Sequence, residues 1–358
     1  MSLSIGIIGM PNVGKSTLFN ALTNNNILAA NYPFATIDPN TGIVAIPDKR
    51  LEKLAELYNS KKIVPATVTF TDIAGLVAGA SKGEGLGNQF LSHIRECAAI
   101  AQVVRAFHDD NVLHVNNKID PSFDMEIINT ELVLADLQTI TNRLHKIEKE
   151  ARVDLKLKPK YETTNKAYDL LNNGVLLNKE PGLNFDDLAD LQLLTTKPII
   201  YVFNVDEQTL ADKTMQQKLA NLVSPAQAIF ICAKLEDELK NLDTAEANEL
   251  LESYGVKNSG LEQLVTAAYR TLGLQSFLTA GEKEVRAWTI KTGSTAPQAA
   301  GVIHGDFERG FIAAEIVDYH DLITAGSKVA ARASGKLRTE GKTYIMQSND
   351  VVEFRFNV

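Results

Sequence analysis

The chain has 358 residues, 45% of them hydrophobic, and a formal net charge of −8. This length fits two or three domains, and the negative charge excludes a basic nucleic-acid coat protein. No apolar run reaches the ~18 residues that a membrane helix needs, no signal-peptide pattern opens the chain, and the only cysteines are Cys97 and Cys232. We therefore expect a soluble cytoplasmic protein with no membrane partner and no DNA partner.

The first motif along the chain is a complete phosphate-binding loop. Residues 9–16 read G-M-P-N-V-G-K-S, after an apolar run at 3–8 and before a helix-like stretch at 16–24. Backbone N–H groups of such a loop surround a β-phosphate, and the helix N-terminus adds positive partial charge. Lys15 can bridge the β- and γ-phosphates as a catalytic group, and the Ser16 hydroxyl can bind Mg²⁺. We assign nucleotide binding to Gly9, Met10, Pro11, Asn12, Val13, Gly14, Lys15, Ser16 and Thr17.

Two further segments supply candidates for sensing Mg²⁺ and the γ-phosphate. Thr36 closes a polar N-Y-P-F-A-T stretch, and a β-branched strand pattern at 67–71 ends in Asp72-Ile-Ala-Gly75. We predict Thr36 and Asp72 as metal ligands beside Ser16. Gly75 would let a backbone N–H approach the γ-phosphate, and we include it among the catalytic residues.

The residues after Gly75 predict slow catalysis and a switch. Small GTPases place a water-orienting glutamine next, but this chain has Leu76, which cannot orient water. The residues at 79–87 include four glycines, so they favour neither helix nor strand. We interpret them as a mobile switch rather than as a loop without a role.

The base side of the site is predicted after two later strands, at 199–204 and 228–232. A guanine site would read Asn-Lys-x-Asp, whereas this chain reads Asn-Val-Asp-Glu at 204–207. Losing the lysine and lengthening the carboxylate by one methylene breaks the alignment that guanine requires, so we predict a preference for ATP. The predicted base-side residues are Asn204, Val205, Glu207, Cys232 and Ala233.

These motifs together resemble the YchF family, the Obg-like ATPases, over nearly the whole chain. The resemblance rests on the G-x-P-N-x-G-K-S-T loop, the N-Y-P-F-x-T segment, the D-I-A-G-L-V stretch and the N-V-D-E variant. It implies an ATPase switch with a nucleotide domain, a coiled-coil insertion and a C-terminal TGS domain. It further implies that His114 activates the attacking water and that Asn12 helps to hold a K⁺ ion beside the phosphates.

The order of elements predicts an α/β fold with a mostly parallel sheet. Strand patterns at 3–8, 43–46, 66–72, 103–107, 199–204 and 228–232 alternate with helical stretches. The gap before the strand at 199–204 is too long for one crossover and must hold an insertion. We predict a P-loop nucleotide domain at 1–120 and 197–275, a helical coiled-coil arm at 121–196 and a β-grasp TGS domain at 276–358.

Heptad spacing predicts the arm. The seam consists of Val133, Leu137, Ile140, Leu144, Ile147 and Ala151, and a second helix at 161–177 can return along it. Between residues 143 and 166 there are eight Lys or Arg against four acids, an excess that suits phosphate backbones such as rRNA. The alternatives are two helices of a globular core and an ordinary solvated face.

The C-terminal part predicts a compact module without catalytic residues. Strand patterns lie at 285–290, 311–317 and 351–356, and Pro297 can occupy the first turn of a helix at 296–303. The A-W-T-I and final F-R-F-N-V motifs resemble the TGS domain. We expect this part to be an interaction module.

Three functions stay open at this stage. The first is a Mg²⁺-dependent ATPase switch, with K⁺ as a second ion, that acts on the ribosome through rRNA and ribosomal proteins. The second is a GTPase that assists ribosome assembly. The third is a non-enzymatic scaffold that binds RNA or protein and uses nucleotide only for folding.

Overall fold

The computed structural model describes residues 3–24, 40–73, 86–107, 119–239 and 242–357. The chain divides into two compact units, the first formed by Met1–Ile43 with Thr69–Leu264 and the second by Val44–Val68 with Val265–Val358. The predicted fold class is confirmed: a mostly parallel sheet with helices, an inserted helical region and a C-terminal sheet. Among the helices in the described ranges, none is long and apolar enough to cross a membrane.

The strands in the described ranges are β1 (Ser4–Gly9), β2 (Thr41–Ala45), β3 (Ile63–Val64), β4 (Thr67–Asp72), β5 (Ala99–Ala106), β6 (Ile199–Val205), β7 (Gln227–Ile231), β8 (Leu274–Ala280), β9 (Val285–Lys291), β10 (Phe311–Asp318), β11 (Arg338–Glu340) and β12 (Asp350–Phe356). The helices there are α1 (Lys15–Asn24), α2 (Lys49–Tyr58), α3 (Leu86–Glu96), α4 (Pro121–Val153), α5 (Lys158–Asn172), α6 (Glu207–Ala211), α7 (Lys213–Val223), α8 (Ala233–Leu239), α9 (Thr244–Ser253), α10 (Gly260–Thr271), α11 (Ala296–Ile303), α12 (Gly305–Arg309), α13 (Tyr319–Ala325) and α14 (Lys328–Ala333).

The first sheet has the strand order β2-β4-β1-β5-β6-β7. Its pairs β1–β4, β1–β5, β5–β6 and β6–β7 are parallel. Every residue of β1 and of β6 is buried, as expected for parallel strands that are covered on both faces. Because the strands are parallel, β1, β4, β6 and β7 all end at the same edge of the sheet.

The inserted region contains the predicted helical arm. Pro121 occupies the first turn of α4, and Asp120 caps this helix by accepting a hydrogen bond from the backbone N–H of Phe123. The predicted seam faces inward: Val133, Ile140 and Ile147 are buried, and the other three residues are half-buried. The return helix α5 packs on α4.

The predicted start of the return helix needs correction. We expected the second helix to begin at residue 161, but α5 begins at Lys158, with Pro159 in its first turn. Proline is tolerated in the first turn of a helix, where its missing N–H has no partner to lose. The helix ends at Asn172, before Gly174 with φ +74°.

A buried carboxylate ties the base of the arm to the chain that precedes β6. Asp136 of α4 is fully buried and accepts hydrogen bonds from the backbone N–H groups of Leu194 and Thr195 at 2.9 and 2.7 Å. The Thr195 hydroxyl donates a third bond at 2.7 Å. Burial raises the pKa of Asp136, and these three donors oppose the rise. The first half of α4 is therefore fixed within the first unit.

The second sheet has the order β11-β10-β12-β8-β9-β3. Antiparallel pairs join β8 to β9 and β10 to both β11 and β12, whereas β12–β8 and β3–β9 are parallel. Pro297 lies in the first turn of α11, as predicted, and Thr295 with Gln298 forms a capping box there.

The boundaries of this second unit differ from the predicted ones. Residues 44–68, which the sequence placed with the nucleotide domain, belong to it, and its C-terminal segment starts at Val265. Leu51 and Leu54 of α2 are buried in one core cluster with Leu278 and Val285, and β3 pairs with β9. Local patterns show that α2 is amphipathic, but they do not show which distant segment covers its apolar face.

Candidate nucleotide site and basic arm

The candidate site lies where the parallel strands of the first sheet end. In the sheet β1 stands between β4 and β5, and the register places Ile7 beside Asp72 and Gly9 beside Val103. The order of strands thus reverses at β1. In open α/β sheets, ligands bind outside the carboxyl ends of the strands at such a reversal. The phosphate loop follows β1 at this point.

Two glycines allow the loop its close approaches. Gly14 has φ +96°, and a Cβ built on it would lie 2.5 Å from Nδ2 of Asn204. A Cβ on Gly9 would lie 2.5 Å from the carbonyl oxygen of Val103. A side chain at either position would displace backbone or the Asn204 amide, so these positions require glycine for space, and Gly14 also for conformation.

Lys15 is held inside the loop. Its side chain is buried and Nζ donates to the carbonyl oxygen of Met10 at 2.8 Å. Burial lowers the pKa of the ammonium group, and the Asp72 carboxylate opposes this effect. A phosphate group would be a favourable additional partner for this partly desolvated cation.

Ser16 and Asp72 come together from distant parts of the sequence. The Ser16 hydroxyl lies 3.3 Å from Oδ2 of Asp72, and Oδ1 of Asp72 is buried without a hydrogen-bond partner among the described residues. A hydroxyl and a carboxylate with an unused buried oxygen are ligands that suit Mg²⁺. These two residues fit the predicted metal site. Groups of three or more His, Cys, Asp or Glu that could form another site are absent from the described ranges.

Three predicted residues lie outside the described residues. They are the metal ligand Thr36, the γ-phosphate sensor Gly75 and the water-activating His114. Leu76 and most of the glycine-rich segment at 79–87 also lie there.

The predicted base-side residues meet at one cavity. Asn204, at 8% exposure, donates from Nδ2 to the carbonyl oxygen of Val13 at 3.1 Å, so it joins the end of β6 to the phosphate loop. A cavity of about 530 Å³ opens beyond this contact. Its lining includes all five predicted residues, Asn204, Val205, Glu207, Cys232 and Ala233, together with Phe107, Asp206, Gln208 and Lys234.

The two carboxylates beside Val205 both have partners. Oε1 of Glu207 lies 2.6 Å from Nζ of Lys234, and this contact raises the pKa of Lys234. Asp206 caps α6 by accepting the backbone N–H of Thr209 at 2.8 Å. Val205 is itself buried. Each carboxylate therefore has one oxygen already engaged, Oε1 of Glu207 by Lys234 and Oδ1 of Asp206 by the backbone of α6.

A second cavity, of about 380 Å³, lies between α1 and α8, and it adds a residue that the sequence did not predict. Glu236 lines this cavity and is buried, and its Oε1 accepts the backbone N–H groups of Gly260 and Leu261 at 2.6 and 3.3 Å. Burial raises the pKa of this carboxyl, and the two donors oppose the rise. The carboxylate thereby caps α10. A glutamate in an acidic helix gives no sequence signal for such a contact. Lys234, which lines both cavities, could have been predicted, because it ends the Cys-Ala-Lys sequence after the strand pattern at 228–232.

The cations of the arm are mostly paired with carboxylates. Two of the carboxylates, Glu180 and Asp190, lie outside residues 143–166, the range whose sequence contains eight cations against four acids. Lys146, Lys149 and Lys156 make no ion pair with any residue in the described ranges. The five pairs are Arg143–Glu150 at 3.2 Å, Arg152–Glu148 at 2.6 Å, Lys158–Glu162 at 3.9 Å, Lys160–Asp190 at 3.0 Å and Lys166–Glu180 at 3.0 Å.

A phosphate loop at the reversal point of a parallel sheet, with a carboxylate opposite the loop serine, defines the class of P-loop nucleotide-binding proteins. A family model described as 50S ribosome-binding GTPase matches residues 4–136. A second model, YchF-GTPase_C, described as a protein of unknown function, matches residues 274–357.

Individual relatives cover the whole chain. A Bacillus subtilis protein named "Ribosome-binding ATPase YchF" is 50% identical over 374 residues, covering 100% of both chains. A Haemophilus influenzae protein of the same name is 47% identical over 364 residues, again covering 100% of both. The solved structure of the Schizosaccharomyces pombe YchF GTPase superposes with a TM-score of 0.86 at 40% identity, covering 99% of this chain and 97% of that one. The chain belongs to the YchF family.

Proposed function

We propose that this protein is a Mg²⁺-dependent ATPase that works as a molecular switch, with the ribosome as its partner in the cytoplasm. The observation that carries the proposal is the convergence of Lys15, Ser16 and Asp72 at the end of β1 and β4. These residues supply a buried cation for the phosphates and two ligands for the metal. The arrangement suits phosphoryl transfer, in which positioning and charge neutralisation supply most of the catalysis.

The roles of the residues follow from that chemistry. Ser16 and Asp72 would hold Mg²⁺, which neutralises phosphate charge when bound, with Thr36 as a further ligand. Lys15 would stabilise charge on the β- and γ-phosphates, and the backbone N–H of Gly75 would contact the γ-phosphate. The resemblance to the YchF family assigns activation of the attacking water to His114. Leu76, which follows Gly75, carries no group that could orient this water.

Catalysis by this set of residues is expected to be slow, well below the ~1–100 s⁻¹ of typical kinases. His114→Ala should lower turnover and leave ATP affinity nearly unchanged, since the residue would act in the transition state. Turnover of this variant at the native rate would remove His114 from the mechanism. Exchanging K⁺ for Na⁺ in the same assay tests the cation role proposed for Asn12.

The preference for ATP is supported by the base-side contacts. Lys234 engages Glu207, Asp206 caps α6, and Val205 offers no cation to lie over a base. Direct titration with ATP and GTP tests the preference, which fails if GTP binds as tightly as ATP. The second candidate, a GTPase, is favoured by the description of the yeast relative as a GTPase, and the same titration separates the two.

The ribosome as partner is supported by the bacterial relatives named as ribosome-binding ATPases. We propose that nucleotide state sets this affinity, because a γ-phosphate sensor followed by a glycine-rich segment suits a switch that is ordered by γ-phosphate contacts. Co-sedimentation with ribosomes in ATP analogue and in ADP tests this. Equal pelleting in both would leave a nucleotide-independent scaffold as the better account.

A further inference from the structure

The apex of the arm presents two aliphatic side chains to solvent. Val153, the last residue of α4, is 91% exposed, and Leu155, in the 3-10 turn that follows, is 77% exposed. Residues of α4 nearer its start behave differently, since Ile128 and Leu132 are almost fully buried. With 33 residues, α4 is about 50 Å long, so the exposed pair lies far from this buried start.

The turn that carries the pair is well defined. The backbone N–H of Asp154 donates to the carbonyl of Glu150 at 2.9 Å, and its side chain accepts the backbone N–H of Lys156 at 2.9 Å. The backbone N–H of Leu157 then donates to the carbonyl of Asp154 at 3.0 Å. Asp154 thus ends α4 and starts the 3-10 turn, and this fixes Val153 and Leu155 on either side of it.

The local charges argue against a contact made mainly with phosphate groups. Of the cations next to the pair, Arg152 lies 2.6 Å from the carboxylate of Glu148 and Lys158 lies 3.9 Å from that of Glu162. Lys156 is without an ion-pair partner in the described ranges. Bases in RNA are recognised chiefly by aromatic or guanidinium planes, which aliphatic side chains do not provide. Valine and leucine side chains are stabilised when an apolar protein pocket removes their surface from water.

We propose that the tip formed by Val153 and Leu155 inserts into an apolar pocket on a protein of the ribosome, and that Lys156 faces an acidic group at the rim of that pocket. The inference deepens and rests on the proposed ribosome partner. It assigns the contact of the arm to a ribosomal protein rather than to rRNA phosphates. Two of the cations along the arm, Lys160 and Lys166, then serve to join α5 to the chain that follows it.

Two measurements on the full-length chain test the proposal. In the first, ribosome co-sedimentation compares the native chain with Val153→Ser/Leu155→Ser, which we expect to bind roughly tenfold more weakly. Val329→Ser is the matched control, because Val329 is 79% exposed but lies on α14. In the second, the photo-cross-linker benzoylphenylalanine replaces Val153 in one chain and Val329 in a control chain. Irradiation with ribosomes should give a protease-sensitive, nuclease-resistant adduct only from the chain labelled at position 153.

The outcomes separate the possible errors. Cross-linking of position 153 to rRNA would overturn the proposal, as would undiminished pelleting of the double variant. Failure of the native chain to pellet under any nucleotide condition would instead defeat the proposed ribosome partner, and the tip assignment with it. A normal ATPase rate in the double variant shows that its fold and nucleotide site are intact.

Discussion

The phosphate side and the base side of the candidate site differ in how far they depend on backbone groups and on side chains. The phosphate side depends on a backbone loop with φ +96° at Gly14, between a buried strand and a helix N-terminus. It also depends on the side chains of Lys15, Ser16 and Asp72, which converge there. The base side depends on side chains that bind one another, the Lys234–Glu207 ion pair and the contact of Asn204 with Val13. The glycine positions of the phosphate loop tolerate few substitutions. On the base side, by contrast, replacing one pair of side chains can change which base is bound.

If the proposed site is correct, this difference would let the same fold accept either ATP or GTP. The triphosphate and its metal are common to ATP and GTP, so the backbone loop has nothing to discriminate. At the proposed site, the base would lie against side chains that can be replaced without moving a strand. Predictions about the two sides should therefore differ in size.

The largest effect is expected on the phosphate side. Lys15→Ala removes the buried cation that would face the phosphates, and we expect Mg·ATP turnover to fall by at least about 100-fold. The matched variant on the base side is Lys234→Ala. The Lys234 side chain is 72% exposed, so its removal should change turnover by only a few-fold. Steady-state phosphate release measures both. Similar losses in the two variants would contradict the comparison.

A second effect concerns the loop glycine. Gly14→Ala should destabilise the fold by about 1–2 kcal/mol through its left-handed φ, and its clash with Nδ2 of Asn204 adds to this cost. Gly174→Ala isolates the first contribution, since Gly174 has φ +74° but nothing within 4 Å of a built Cβ. Urea unfolding of both variants gives the difference. If the two lose equal stability, the close approach of Asn204 is unimportant.

The third effect concerns Asn204, which joins the base side of the site to the phosphate loop. Asn204→Ala removes the hydrogen bond to the carbonyl of Val13, a loss of about 1 kcal/mol, and should weaken ATP and GTP alike by several-fold. Asn204→Asp should be worse, because a carboxylate would then face that carbonyl oxygen. Calorimetric titration with both nucleotides measures this. A loss confined to one nucleotide would place Asn204 wholly in base recognition.

The sequence predicted the elements that depend on local pattern. The apolar run at 3–8 and the motif at 9–16 are found as β1 (Ser4–Gly9) and the start of α1. The strand predicted at 103–107 is β5 (Ala99–Ala106), which begins four residues earlier and ends one residue earlier. Its first four residues read A-I-A-Q, and the two alanines weaken the strand pattern there.

The features that the sequence did not predict depend on contacts between distant residues. The packing of α2 into the second unit and the capping of α10 by Glu236 are of this kind. So are the ion pairs that the arm cations make with Glu180 and Asp190. In each case the residue type is common at such a position. Its role depends on a partner that is distant in the sequence, so the local pattern does not predict it.

The smallest expected effect is a change in the base that is preferred. Releasing the carboxylate from Lys234 and shortening it, as Lys234→Ala/Glu207→Asp, should raise the affinity for GTP relative to ATP by about three- to tenfold. Val205 is left unchanged because it is only 2% exposed, and a lysine there would carry a desolvation cost of its own. The control is Lys234→Ala/Glu207→Gln, in which an amide cannot accept two hydrogen bonds from guanine. Competition of the two nucleotides against a fluorescent analogue measures the ratio. Equal ratios in the aspartate and glutamine variants would show that this carboxylate does not face the base, and that the discrimination lies elsewhere in the 530 Å³ cavity.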